Sequence, residues 1–275
     1  MFIKELYCYR SLLREIVVKN IKIQYRNSVL GIFWTFLQPL LTTVVLVFIF
    51  GYVFGRQNDP DIVNYPIYLL CGRLLYEFYS QSTKRAMRSV TGSASVIKKV
   101  KVPKYIYPIA NVISNFVTFL ISLIVLVGFT AFFFLVRDPK NPPPHLTVYA
   151  LLTPVPLLVL FLLCIGVGLV LSTLSVFFKD IEYLYDVFSM LLFYCTPIFY
   201  STKTLKLKGS TGQIMMYALK ANPLYSVVEM FRDCVLRGKP IYLPHFAYAL
   251  GFSLVLIAIG GLLFWRKQDK FILYI

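Results

Sequence analysis

Lys19–Leu40 reads KNIKIQYRNSVLGIFWTFLQPL, basic and half-polar as far as Arg26 and uncharged from there on. The uncharged part decides the fold. It extends from Val29 to Gly55 and would be roughly 40 Å long as a helix, enough to cross a hydrocarbon core of about 30 Å with tilt. A signal peptide has a short charged start and an apolar region of only about 7–15 residues. This run starts late and is longer, so a span that stays in the protein is expected. Inside it, Gln38-Pro39 interrupts helix hydrogen bonding. Such a break is tolerable at membrane depth when the freed carbonyl faces a passage or a neighbouring helix.

The rest of the chain agrees with that reading. Of 275 residues, 58% are hydrophobic and only 15% charged, and the mean hydropathy is +0.71. A soluble domain carries about 25% charged residues. The pattern predicts an all-α polytopic membrane protein, one domain over residues 1–275, with six spans: 29–55, 66–88, 105–136, 146–178, 182–202 and 241–265. The net charge of +16 is then a matter of topology rather than of nucleic acid. Lys and Arg gather before the first span, between the second and third, and after the last, which places both termini in the cytoplasm. Ser201–Pro240 opposes the rule, because its seven Lys and Arg residues would lie outside.

Four segments carry candidate chemistry. Within residues 1–28, Leu13, Val17, Ile21 and Tyr25 form an i, i+4 ladder opposite a basic face, as in a helix lying in the membrane interface; Ile21–Arg26 also alternates as a strand would. Arg14, Lys19, Lys22 and Arg26 on that helix suit an anionic headgroup. In the second span, Arg73 and Glu77 stand one helical turn apart, either as a structural ion pair or as a polar patch lining a passage. Tyr76, Phe78 and Tyr79 beside them, with Trp34, Phe193 and Tyr194, are candidate passage-lining aromatics. Over 91–103, Ser93 or Ser95 is placed to cap a short helix around Ala94–Val100. There Val96 and Ile97 interleave with Lys98, Lys99 and Lys101 ahead of Pro103, a surface suited to a cytoplasmic partner or to anionic lipid. Over 203–240, two short helices joined at Asn222-Pro223 are expected, re-entrant or interfacial. In the second, Leu224, Val227, Val228, Phe231 and Val235 share one face, while Glu229 and Arg232 fall on others.

Enzymatic signatures are missing from the sequence. It has no Gly-rich phosphate loop ending in GK[ST], no HExxH and no nucleophile elbow. The five cysteines form no CxxC pair, and His145 and His245 have no ligand-spaced neighbours, so neither a disulfide framework nor a metal site is expected. The chain reads as a transport subunit, not an enzyme, with no cofactor of its own. A membrane-bound transferase acting on lipid-linked sugars is the rival from another class; Glu182 and Asp186, one turn apart, are its best acidic pair.

The sequence also resembles a family, the transmembrane permeases of polysaccharide-exporting ABC transporters for O-antigen, teichoic acid and capsule. The carriers are YRNSVLGIFWTFLQPL at Tyr25–Leu40, KVPKYIYPI at Lys101–Ile109, FFKDI at Phe177–Ile181, CTPIFYS at Cys195–Ser201 and ANPLYSVVEMFRD at Ala221–Asp233. The resemblance implies a homodimer in a bacterial inner membrane with two copies of a separate ATPase subunit, which would bind ATP and Mg. It implies a cargo polymer on undecaprenyl diphosphate, met by Arg14, Lys19, Lys22 and Arg26, and ATPase coupling through Val96–Pro103. It implies an external gate shaped by Thr196-Pro197 and Asn222-Pro223, with Glu229 and Arg232. Members often carry Arg-Asp where this chain has Lys179-Asp180, which removes a bidentate donor there. An ABC exporter of a drug or small lipid is the nearer alternative.

Overall fold

The computed structural model describes residues 7–26, 28–55, 59, 61–100, 102–136, 141–202 and 209–274. Among them the chain runs α1 (Arg10–Tyr25), α2 (Trp34–Leu46), α3 (Tyr65–Met87), α4 (Ser89–Gly92), α5 (Ala94–Ile97), α6 (Ile106–Val136), α7 (Pro154–Phe177), α8 (Ile181–Cys195), α9 (Gly209–Ala221), α10 (Pro223–Arg232), α11 (Leu243–Lys267) and α12 (Phe271–Tyr274). These elements are helices without a strand among them, so the Ile21–Arg26 alternation belongs to the end of α1.

Four described stretches are long and apolar enough to cross a membrane: Gly31–Val53, Ile106–Val136, Val148–Phe177 and Leu243–Lys270. The other two expected spans differ. Helix α3 is 23 residues long but carries Arg73, Glu77, Lys84 and Arg85. Helix α8 has 15 residues, about 22 Å at 1.5 Å per residue. The expected 182–202 span therefore ends early, at Cys195. Thr196 is extended (φ −95, ψ 128), as sterics require of a residue before proline.

Protein encloses most of helix α3, while Arg73 and Glu77 lie on its partly open side. Tyr65, Ile67, Leu69, Leu70, Cys71 and Leu75 on it are all buried, packed between α6 and α7. Its N-terminus is capped by Asn64, whose Oδ1 accepts from Ile67 N–H at 3.1 Å while Nδ2 donates to the carbonyls of Asn141 and Pro142. Helices α7 and α11 cross closely over glycines. A Cβ on Gly166 would stand 2.8 Å from that of Leu256, and one on Gly260 2.9 Å from that of Leu169. Small residues at such crossings let helices touch where lipid offers no hydrophobic drive.

The opening stretch shows how the chain enters the bundle, Asn27 lying outside the described residues. Ser28 Oγ accepts from Gly31 N–H at 3.1 Å. Gly31 takes φ +51, a left-handed turn that costs glycine little, and the chain rises into α2. Pro39 deprives the Thr35 carbonyl of its helical donor. Ser122 Oγ on α6 donates to that carbonyl at 3.3 Å. The break therefore faces a neighbouring helix rather than lipid.

At one end of the bundle, here the basic end, Ile97, Tyr105, Ile106, Phe264 and Phe271 form a small core. Lys104 Nζ donates to the Gln268 carbonyl there. The opposite end carries α9 and α10.

Candidate functional site

A groove of about 580 Å³ runs along α3, walled by Leu41, Thr42 and Val45 of α2 and Phe193 of α8. Arg73, Tyr76, Glu77, Ser80 and Gln81 form its floor. Arg73 Nε and Glu77 Oε2 are 3.9 Å apart, too far for a hydrogen bond. Glu77 Oε1 accepts instead from Gln81 Nε2 at 3.1 Å. Arg73 Nη1 and Glu77 Oε2 have no hydrogen-bond partner. The patch is thus a loosely held charge pair in which one buried donor and one buried acceptor stay unpaired.

The predicted aromatics divide. Tyr76 and Phe193 line the groove, with ring centroids 5.0 Å apart. Phe78 does not belong to the groove; it stacks on Phe119 of α6 at 4.8 Å. Tyr79 is buried against Tyr185 and serves the core. Tyr194 is exposed on α8, and its carbonyl accepts from Tyr200 OH. Trp34 lines a separate cavity between α1, α2, α3 and α6.

The α8 wall is held to α3 by a ladder of polar bonds. From mid-bundle to the basic end these are Tyr76 OH to the Ser189 carbonyl, Ser80 to Ser189 at 3.1 Å, and Tyr185 OH to Thr83 Oγ1 at 2.6 Å. Then come Lys84 to Asp186 and Arg88 to Glu182, each at 2.8 Å. Only Tyr185 and Ser189 of α8 are buried. Glu182 and Asp186 are therefore members of this ladder, not the free acidic pair a transferase would need.

Above the groove sits a cap in which the two predicted gate motifs meet. Asn222 Nδ2 donates to Thr196 Oγ1 at 3.1 Å, and its Oδ1 caps α10 through Leu224 N–H. Arg232, expected on an outer polar face, is instead wholly buried. Its Nη1 donates to the Pro197 carbonyl at 2.7 Å and its Nη2 to that of Tyr68 at 3.0 Å. Its guanidinium carbon lies 3.4 Å from the centroid of the Tyr68 ring. The physical reason is the bend at Thr196–Ile198, whose carbonyls have left their helix and need donors. Glu229 pairs with Arg237 at 2.7 Å and Arg232 at 3.4 Å. Burial alone would raise the Glu229 carboxyl, but the two guanidinium groups outweigh it and hold it below its ordinary range.

At the basic end, Arg14, Lys19, Lys22 and Arg26 are all exposed along α1, and Arg85 reaches across to Gln24 at 2.8 Å. The 91–103 loop differs from expectation. Its helix α5 is a single turn, and Ser93 at its N-cap makes no side-chain cap bond. Val96, Lys98 and Lys99 face outward, whereas Ile97 is buried beneath them. Ile97 therefore anchors the loop and is not part of its outer surface. Pro103 is half-buried, and Lys101 lies outside the described residues. Of the cysteines, Cys71, Cys164 and Cys234 are buried, while Cys8 and Cys195 are exposed.

Sequence reasoning misses Ser189, which receives two α3 hydroxyls, and Asn115, a buried amide of α6. An isolated Ser or Asn in an apolar run is their only signal.

Relatives of the chain bear on what this site does. The sequence model of the ABC-2 type transporter family matches residues 11–236. An O-antigen export system permease protein, RfbA, of Klebsiella pneumoniae is 29% identical over 266 residues, covering 94% of this chain and 92% of the relative. The RfbA protein of Myxococcus xanthus is 28% identical, covering 98% and 97%. The polysialic acid transport protein KpsM of Escherichia coli is 24% identical, covering 92% of each. With the family match spanning most of the sequence and apolar helices long enough to cross a bilayer, the chain is a multi-pass membrane protein of the ABC-2 type transporter family.

Proposed function

We propose that this chain is the membrane-spanning subunit of an ATP-driven exporter of polysaccharide. Its cargo is a glycan linked to undecaprenyl diphosphate, of the O-antigen or teichoic-acid type, moved from the cytoplasm to the outer face of the membrane. The observation that carries the reading is the polar groove on α3. Charged side chains do not face lipid, yet the flanking α2 and α8 expose apolar faces, among them Leu40, Val44, Leu184, Val187 and Leu191. A second copy of the chain laid against those faces closes two grooves into one polar passage. The full-length similarity to permeases named for O-antigen export and polysialic acid transport supports glycan as cargo.

In this reading the chain crosses six times, with α3 and α8 as the interior crossings and both termini cytoplasmic. The basic face of α1 meets the lipid diphosphate. Val96, Lys98 and Lys99 meet a separate ATPase that binds ATP and Mg. The cap around Asn222, Thr196 and Arg232 closes the outer mouth.

The test is reconstitution with the partner ATPase in proteoliposomes, scoring lipid-linked glycan delivered across the bilayer per ATP hydrolysed. Neutralising Lys19, Lys22 and Arg26 together should reduce export more than membrane insertion. Equal loss of both would leave the α1 stripe as an anchor and nothing more.

A further inference from the structure

Beside the groove lies a second, more enclosed cavity of about 190 Å³ between α1, α2, α3 and α6. At ~30 Å³ per water it holds about six waters, or one small polyhydroxylated ring. Glu77 and Gln81 line both spaces, so the cavity adjoins the groove across these two side chains.

Its wall has an unusual chemical balance. Asn115 of α6 is only 4% exposed, and its Nδ2 has no partner. Glu77 Oε2 is a buried acceptor that also lacks a hydrogen-bond partner. A buried donor and a buried acceptor left unmade are each costly. A hydroxyl group, which donates and accepts at once, satisfies both kinds. Trp34, Phe78 and Phe119 add apolar rings to the same wall, a surface suited to the C–H face of a pyranose. Glu77 and Arg85 carry opposite charges in the wall, so no net charge calls for an ionic ligand.

The geometry points to a side pocket for one neutral sugar residue of the exported chain, hydrogen-bonded to Asn115 and Glu77. This inference rests on the exporter reading and assigns a site that the passage alone does not require. It places recognition of an uncharged sugar beside the main path.

The sequence has two tryptophans, Trp34 and Trp265. Trp265 lies on α11, away from this cavity, so a Trp265→Phe protein reports from Trp34 alone. In nanodiscs, that protein is titrated with galactose, glucose and N-acetylglucosamine, with glycerol as the control. A saturable emission change in the millimolar range for at least one sugar, absent with glycerol, is expected. Asn115→Leu should weaken it about tenfold or more, as the loss of one hydrogen bond predicts. The melting temperature should hold or rise, because an unpartnered amide has been removed. A cavity that holds water only gives no saturable response to any of the three sugars, which overturns the pocket without recourse to Asn115→Leu. An Asn115→Leu protein that titrates like its parent overturns it as well. Either result in a protein that still exports leaves the exporter reading standing. Absence of export from the unsubstituted complex overturns that reading and the pocket with it.

Discussion

Arg232 shows how much one side chain holds together. Its guanidinium joins α10, the Pro197–Ile198 bend and the N-terminal end of α3, three segments remote in sequence. Arg232→Ala leaves those carbonyls unpaired in a dry site, and a loss of about 3 kcal/mol or more is expected, read as a lowered melting temperature in detergent. Arg232→Lys keeps the charge but replaces a planar fork with a point donor, so about 1–2 kcal/mol should be lost. Gly72→Ala probes the same contact from the other side, since a Cβ there would stand 2.6 Å from Nη2 of Arg232; it should destabilise as well. An Ala variant as stable as the parent would remove the keystone role. Glu229 beside it makes a pH-dependent contribution. Its carboxyl is held below the unfolded value of about 4.3, so its ion pairs stabilise in full above that pH and are lost as pH falls through the folded value. The melting temperature should therefore drop below about pH 4, and Glu229→Gln should start lower and vary less over that window. None of this is readable from α10 as a sequence. Helical periodicity assigns Arg232 to a polar face, because it counts spacing within one helix and is blind to carbonyls brought by another segment.

At the scale of elements, apolar length is the legible signal and polar contact the illegible one. Runs such as Tyr105–Val136 give helices within a residue or so of their ends, since nothing interrupts backbone pairing in them. The short apolar run after Val187 reads through to Thr202 because its residues are uncharged; Pro197 and its extended predecessor end it at Cys195. The α3–α8 ladder is invisible for a related reason: Ser80, Thr83, Tyr185 and Ser189 look like ordinary polar interruptions until two helices are laid side by side. The 91–103 loop gives the sharpest division between periodic reading and packing. Val96 and Ile97 are neighbours with the same propensity, yet one faces out and the other is 6% exposed. Val96→Asp should leave the fold intact and uncouple ATP turnover from export. Ile97→Asp buries an unpaired charge in the small core with Tyr105 and Phe264, so it should lose folded protein before coupling can be measured. Yield and monodispersity on size-exclusion chromatography separate the two; comparable yields would place Ile97 outside that core.

For the whole molecule, the question is what covers the groove. The mouth of about 580 Å³ contains a charged pair, and an isolated chain would present it to lipid beside the exposed faces of α2 and α8. Two copies paired through those faces, as proposed above, would remove the conflict, because the two grooves would then face each other as one polar passage. The exposed residues of α11, such as Val255 and Ile259, flank no polar groove and need only lipid. The two faces should therefore respond differently to the same chemical change. Leu184→Gln together with Leu191→Gln on α8 should weaken self-association, since one face of the pairing interface loses apolar packing and gains amides. Val255→Gln with Ile259→Gln on α11 carries the same polar load but should leave association unchanged. Mass photometry in nanodiscs, or crosslinking in native membranes, counts copies directly. Equal association in both variants, or dissociation only in the α11 variant, would move the pairing face away from the groove, and Arg73 and Glu77 would then need a different cover.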